Sequence, residues 1–223
     1  MALPAHSLKL IAPYLKGAKV LSLGYPDILA KPEEIQRIFG YMPTRFSDQN
    51  TWHGVAHPLP DTLELFEKVG ATLTVVDFTP ERGMERIADL NYPHDLGKFD
   101  LVIDPGTLEH CFHIGQALMN AANAVKAGGK IFHLSPVSMI NHGFYNLCPT
   151  LYFDFYTQNG WKVEEITLVP IVHLNGEISG NIEPKVDFLL RALATRKTEE
   201  PMRSVVQSKY LNKLKAAKLK AVA

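Results

Sequence analysis

Residues 99–135, FDLVIDPGTLEHCFHIGQALMNAANAVKAGGKIFHLS, constrain the fold of this chain more than any other stretch. The apolar run that opens at Phe99 marks a strand over 99–104, buried on both faces and ended by the Asp104-Pro105-Gly106 turn. Over 113–127, Ile114, Ala117, Leu118, Ala121 and Val125 recur on one face at helical spacing. Gly128-Gly129 closes that helix, and a second apolar run fills 130–135. A strand, a helix and a strand in this order make a parallel crossover unit. Parallel sheets place their ligands beyond the carboxyl ends of the strands, so the pattern also says where a site belongs.

The rest of the chain repeats the alternation. A helix is predicted over 7–16, ending at Gly17, and a strand over 19–23, KVLSL, ending at Gly24. Pro32 starts a short helix over 31–39 that Gly40 caps, and 41–60 has loop composition. Asp61 is placed to N-cap a helix over 61–69, with Glu64 as its capping-box partner and Gly70 as terminator. Strands follow at 71–77 and 84–90, then a helix at 151–159 ending at Gly160. Two longer segments, 161–172 and 185–195, form a hairpin around Asn175-Gly176 and Gly180-Asn181. Alternation of this kind predicts an α/β fold with helices wrapped on a mostly parallel sheet.

At 223 residues the chain suits one such domain, able to bury about 70% of its unfolded surface. Its 23 basic and 23 acidic groups cancel, but unevenly. Six basic residues and no acidic one follow Pro201, leaving 17 basic against 23 acidic before it, a net of −6. An acidic body argues against a nucleic-acid partner, because duplex affinity rests on neutralising phosphates. We therefore expect a single domain over 1–198 and a basic tail over 199–223, available for an interaction; oligomeric state stays open. Cys111 and Cys148 make neither a disulfide framework nor a metal motif. The amino-terminal residues lack the pattern of a signal peptide and no apolar run has the length of a membrane span, so a cytoplasmic location is expected.

Three motifs in the 99–135 stretch carry a resemblance to a known family. Phe99-Asp100-Leu101-Val102-Ile103, Leu108-Glu109-His110 and Lys126-Ala127-Gly128-Gly129 stand where class I S-adenosylmethionine-dependent methyltransferases have similar residues. The resemblance covers about residues 18–195. It implies a Rossmann-like, doubly wound, seven-stranded sheet with an antiparallel terminal hairpin, with 28–60 as an insertion after the first strand. It also implies S-adenosylmethionine as cofactor. On that basis Gly24 and Asp27 would lie at its methionine end, Asp77 at the ribose, Asp89 and Leu90 at the adenine, and Asp104 and Gly106 beside the methyl group. The chain departs from the family's glycine-rich turn, with Tyr25-Pro26-Asp27 after Gly24 and Ser22 where an acidic residue is usual.

The same resemblance places the acceptor pocket along the aromatic stretch 144–156, after the fifth strand. Methyl transfer needs alignment and exclusion of water, and a base only for a poorly nucleophilic acceptor such as a hydroxyl. His110, His142 and Glu109 are the catalytic candidates; His133, inside a strand, reads as a core histidine. His53 and His57 sit in a loop suited to cover the cleft, and Phe144, Tyr145 and Tyr152 are candidates to stack on an acceptor. His110 and His113, three apart, permit a metal without specifying one, and no metal is expected. The segment HGFYNLCPTLYFDFYTQNGW also resembles methyltransferase-like proteins of bacterial surface-sugar clusters. Three readings remain: O- or N-methylation of a small molecule or glycan precursor, a methyltransferase-like binding or assembly protein with a decayed donor site, and a different reaction on the same fold.

Overall fold

The structure, a computed structural model, describes residues 1–48, 53–173, 185–211 and 213. Seven strands form the central sheet: β1 (Lys19–Leu23), β2 (Thr72–Asp77), β3 (Arg86–Ile87), β4 (Phe99–Asp104), β5 (Val125–Pro136), β6 (Lys162–His173) and β7 (Lys185–Thr195). Their spatial order is β6-β7-β5-β4-β1-β2-β3. The first five pair in parallel, while β7 runs antiparallel to both β5 and β6. Chain order reverses between β1 and β4, and the crevice at their carboxyl ends is the place this topology offers a ligand.

Alternation along the strands splits the core into two layers. Leu21, Leu23, Val102 and Ile131 pack with Leu118, Ala121, Phe155 and Trp161, on the side of α4 (Ile114–Asn123) and α5 (Pro149–Gln158). Val20, Leu101, Ile103, Phe132 and Leu134 pack on the opposite side, against α1 (Ala5–Ile11), α2 (Pro32–Phe39) and α3 (Thr62–Lys68). Each such aliphatic side chain contributes about 1.5–3 kcal/mol through burial.

Several boundaries differ from the sequence expectation for local reasons. Helix α4 ends at Asn123 rather than near 127, and β5 begins at Val125. Phe99 pairs with Val125 but Leu101 already pairs with Lys130, so the intervening residues bulge out of the register. Gly128 takes φ 79°, and a Cβ on Gly129 would stand 2.9 Å from the Asp100 carbonyl oxygen. Asp61 caps α3, accepting from the Glu64 amide at 2.7 Å. Glu64 does not complete a capping box: its carboxylate accepts from the amides of Thr44 and Arg45 and from the Thr44 hydroxyl, pinning the 41–47 loop. At α2, Glu34 accepts from the Lys31 amide at 2.8 Å, the half of such a box that a lysine N-cap allows.

The 28–60 segment contributes α2 and a short antiparallel pair, Phe46–Ser47 with Leu59–Pro60. At its start, Asp27–Ile28 pairs in parallel with Ala2–Leu3, which ties the first residues of the chain to the end of β1. Residues 199–208 lie along the body rather than apart from it. Met202 is buried, its amide donating to Asn123, and the amide and hydroxyl of Ser208 donate to Asp154. Arg196, fully buried, donates through Nη1 to the carbonyls of Ala122, Asn123 and Val125, closing the carboxyl end of α4. The Asn175-Gly176 and Gly180-Asn181 turns fall outside the described residues. Among the described residues, no helix is long and apolar enough to cross a membrane.

Candidate functional site

At the carboxyl end of β1, Gly24 adopts φ 78° and donates its amide to the Val76 carbonyl on β2 at 2.7 Å. A Cβ at this glycine would stand 2.6 Å from both Cγ and Cε of Met1, so the Met1 side chain lies directly on the turn. The Thr107 hydroxyl donates to the Leu23 carbonyl, which fastens the loop after β4 to the end of β1. Asp27 is buried and committed. Arg82 reaches both of its oxygens, at 3.0 and 2.9 Å, and His53 Nε2 lies 2.9 Å from Oδ2. His53 thus ties the insertion to the turn after β1, with an aspartate for partner.

Asp77 ends β2 half-buried, with Oδ1 accepting from the amides of Phe78 at 2.6 Å and Thr79 at 3.4 Å. Among the described residues no side chain pairs with it. Beyond β3, Asp89 Oδ1 accepts from the amide and side chain of Asn91, and Leu90 is buried with its carbonyl accepting from Asn120. Gly24, Asp77 and Asp89 therefore occupy the ends of three adjacent strands, as the sequence suggests.

The loop after β4 builds the other side of the crevice. Asp104, fully buried, accepts from the amides of Thr107 at 2.9 Å and Leu108 at 3.3 Å through Oδ1. Its Oδ2 lies 2.7 Å from His133 Nδ1, and His133 Nε2 lies 2.6 Å from the Tyr156 hydroxyl. His133 is a satisfied core histidine. Tyr152 stacks on it at 4.5 Å between ring centroids and pairs with Ser135 at 2.8 Å. Wholly enclosed in this way, Tyr152 has no face to offer an acceptor, contrary to expectation. Burial, and then the charge of Asp104, push both tyrosine hydroxyls well above the usual phenol range.

Glu109 and His110 lie in a 3₁₀ turn, Leu108–His110, that faces the loop after β5. Gly106, at φ 98°, brings the backbone close enough that a Cβ would be 3.1 Å from Glu109 Oε1. Glu109 is only 1% exposed, and burial raises its carboxyl above the ordinary range. His142 Nε2 lies 3.6 Å from Glu109 Oε1, and that carboxylate raises the imidazole. His110 stands beside them, 5.3 Å from His142 between ring centroids, lowered first by burial and then by His142. The three catalytic candidates are thus brought into one cluster.

Phe144 is exposed and meets Phe112 edge-on at 5.9 Å, while the Tyr145 hydroxyl donates to the Phe112 carbonyl. The amides of Phe144 and Tyr145 donate to the Glu109 carbonyl, which sets this aromatic segment beside the cluster. His57 is turned to the Pro58 carbonyl at 3.0 Å and joins none of these contacts. His113 caps α4. A separate open cavity of about 840 Å³, lined by Lys9, Lys16, Arg37 and Lys68 among others, lies where the chain enters the amino ends of β1 and β2.

Solved structures supply the comparison. TehB from Haemophilus influenzae superposes with a TM-score of 0.50 at 13% identity, over 86% of this chain and 60% of that one. A Bacillus halodurans C-125 protein described as a methyltransferase superposes with a TM-score of 0.52 at 10% identity, over 87% of this chain and 99% of that one. The fold is that of the class I methyltransferases. The chain spans about three-fifths of the length of TehB. No protein-family model and no curated relative matches the sequence.

Within this fold, the partners of Asp27 were not foreseen from sequence. Arg82 lies 55 residues away in an exposed-looking PERGMER stretch, with only its charge as a hint. Met1 and Thr107 gave no signal at all, since their roles depend on how three loops converge.

Proposed function

We propose that the chain is an S-adenosylmethionine-dependent methyltransferase acting on a hydroxyl or amine of a small molecule or glycan precursor. The observation that carries this reading is Asp77. It is a strand-end carboxylate one strand from Gly24, hydrogen-bonded among the described residues only to its own loop amides. Such a group suits the two neighbouring hydroxyls of a ribose, because a carboxylate accepts two donors side by side. The nucleoside end of the crevice therefore fits the cofactor. The methionine end fits once the Met1 side chain leaves Gly24. Leu3 is fully buried and the Asp27 amide donates to the Met1 carbonyl, so only the Met1 side chain has to turn aside.

The cofactor supplies an electrophilic methyl group. The chain supplies position and proton handling. Gly24 and Gly106 let backbone approach from both sides of the crevice, and Thr107 holds the two loops together. Phe112, Phe144 and Tyr145 flank the acceptor side and offer ring faces or edges to a flat or sugar-like molecule. Glu109, His110 and His142 stand on that side, where an acceptor hydroxyl has to be activated.

A second reading, a binding or assembly protein with a decayed donor site, is favoured by one feature. Asp27 is spent on Arg82 and His53 and is not free for the cofactor's ammonium. Thermal unfolding with S-adenosylhomocysteine separates the two, because a ligand that binds only the native state raises Tm in proportion to its occupancy. A concentration-dependent rise that Asp77→Ala removes supports the enzyme. No rise at millimolar ligand supports the binding protein.

A further inference from the structure

We propose that Glu109, His110 and His142 bind a divalent transition-metal ion on the acceptor side of the crevice. Among the described residues, they alone group three such side chains with ligand atoms all within 4.8 Å of one another. Two imidazoles and one carboxylate form a donor set that suits Zn²⁺, Fe²⁺ or Co²⁺ better than the all-oxygen preference of Mg²⁺ or Ca²⁺.

A second observation points to a ligand independently of the cluster. Glu109 Oε2 is buried and has no hydrogen-bond partner, in a residue 1% exposed. Its other oxygen sits 3.6 Å from His142, beyond a good hydrogen bond. A buried carboxylate left in this state is costly, whereas a bound cation satisfies both its charge and its lone pairs. The Met1 ammonium acts on Glu109 through space, but among the described residues no group hydrogen-bonds to Oε2, and the Cys111 thiol turns to the Thr107 carbonyl.

The backbone holds the ligand-bearing segments together before any ion arrives. The amides of Phe144 and Tyr145 donate to the Glu109 carbonyl at 2.8 and 3.3 Å, locking the loop after β5 onto the 3₁₀ turn. Gly143 makes that approach possible, since a Cβ there would stand 2.9 Å from the Glu109 carbonyl oxygen and 3.2 Å from His110 Nδ1. Metal–ligand bonds of about 2.1 Å bring ligand atoms to roughly 3–3.5 Å apart. The two imidazoles are exposed, so small rotations of their side chains close the remaining distance. Three protein ligands leave coordination positions open toward the crevice, where an acceptor oxygen of the substrate can enter. His113, whose spacing from His110 is suggestive in the sequence, lies outside the cluster.

Titration of the metal-free full chain with Co²⁺, followed by its visible absorption, tests the site. One Co²⁺ per chain is expected, displaced by Zn²⁺. Glu109→Gln, which preserves shape, and His142→Ala, at an exposed residue, should each weaken binding by more than about 100-fold, beyond what loss of a ligand's supporting group costs. His57→Ala should bind as the parent does. No binding to the parent at millimolar Co²⁺ overturns the proposal, as does binding unchanged in both Glu109→Gln and His142→Ala with native circular dichroism. The titration contains no methyl donor, so its failure is distinct from failure of the methyltransferase reading.

Discussion

Arg82 donates from Nη2 to both carboxylate oxygens of Asp27, at 3.0 and 2.9 Å, across 55 residues of sequence. The pair is enclosed, with the Asp27 side chain 3% exposed and that of Arg82 20%. It joins the β1 turn to the loop before β3 and so fixes one wall of the crevice.

Removing the cation leaves a buried carboxylate with His53 as its remaining partner. Arg82→Ala is therefore expected to lower stability by about 3 kcal/mol, the low end for breaking a buried pair. Urea unfolding at 25 °C measures it. A loss below about 1 kcal/mol, typical of an exposed pair, would show that the contact does not bear on the fold.

The two cysteines should differ sharply in reactivity. Burial pushes the Cys111 thiol up to about 12, with Asp104 adding to the shift, whereas Cys148 is exposed. The thiolate is the reactive form, so native protein treated with iodoacetamide at pH 8 should gain one adduct, on Cys148, and a second only in denaturant. Peptide mass spectrometry reads the result; rapid native labelling of Cys111 would contradict the packing around the 107–111 turn.

Acid should weaken the terminal hairpin in a defined way. Glu164 sits where the β6–β7 register shifts, accepts from the Thr195 hydroxyl at 2.7 Å and pairs with Lys162 at 2.5 Å. Those contacts hold its carboxyl at about 2, below the ordinary value of 4.5. Its stabilisation is therefore present above about pH 4.5 and is lost as pH falls toward about 2. Screening at this part-exposed edge keeps the effect near about 1 kcal/mol. Denaturant melts of the parent and Glu164→Gln should differ at pH 7 and converge as pH falls to about 2.

The sheet was legible because its strands are buried on both faces and leave long apolar runs; Phe99–Asp104 and Lys19–Leu23 match their predicted bounds. The start of β5 was not, because AVKAGGK continues the helical pattern while Gly128 and Gly129 permit a bulge that only strand pairing reveals. Glu64 obeyed its local pattern in position but not in partner, being drawn instead to the Thr44 and Arg45 amides. In the site, Glu109 and His110 are sequence neighbours and announce themselves, whereas His142 joins them only through the amide contacts of the loop after β5. Asp27 looked available because nothing nearby in sequence pairs with it. Tyr152 looked suited to a substrate because an aromatic run does not say which ring the helix turns inward.

The Met1 side chain on Gly24 bears on the donor directly. Removal of Met1 alone, which keeps the Ala2–Leu3 pairing with Asp27–Ile28, should tighten donor binding by uncovering the turn. Equal affinity of the shortened and full chains would mean that the donor does not use that face of Gly24.

Isothermal titration of the purified full chain with S-adenosylmethionine tests the central claim most directly. Saturable binding at one ligand per chain, abolished by Asp77→Ala, is the expected result. No heat of binding at millimolar ligand would contradict the methyltransferase reading.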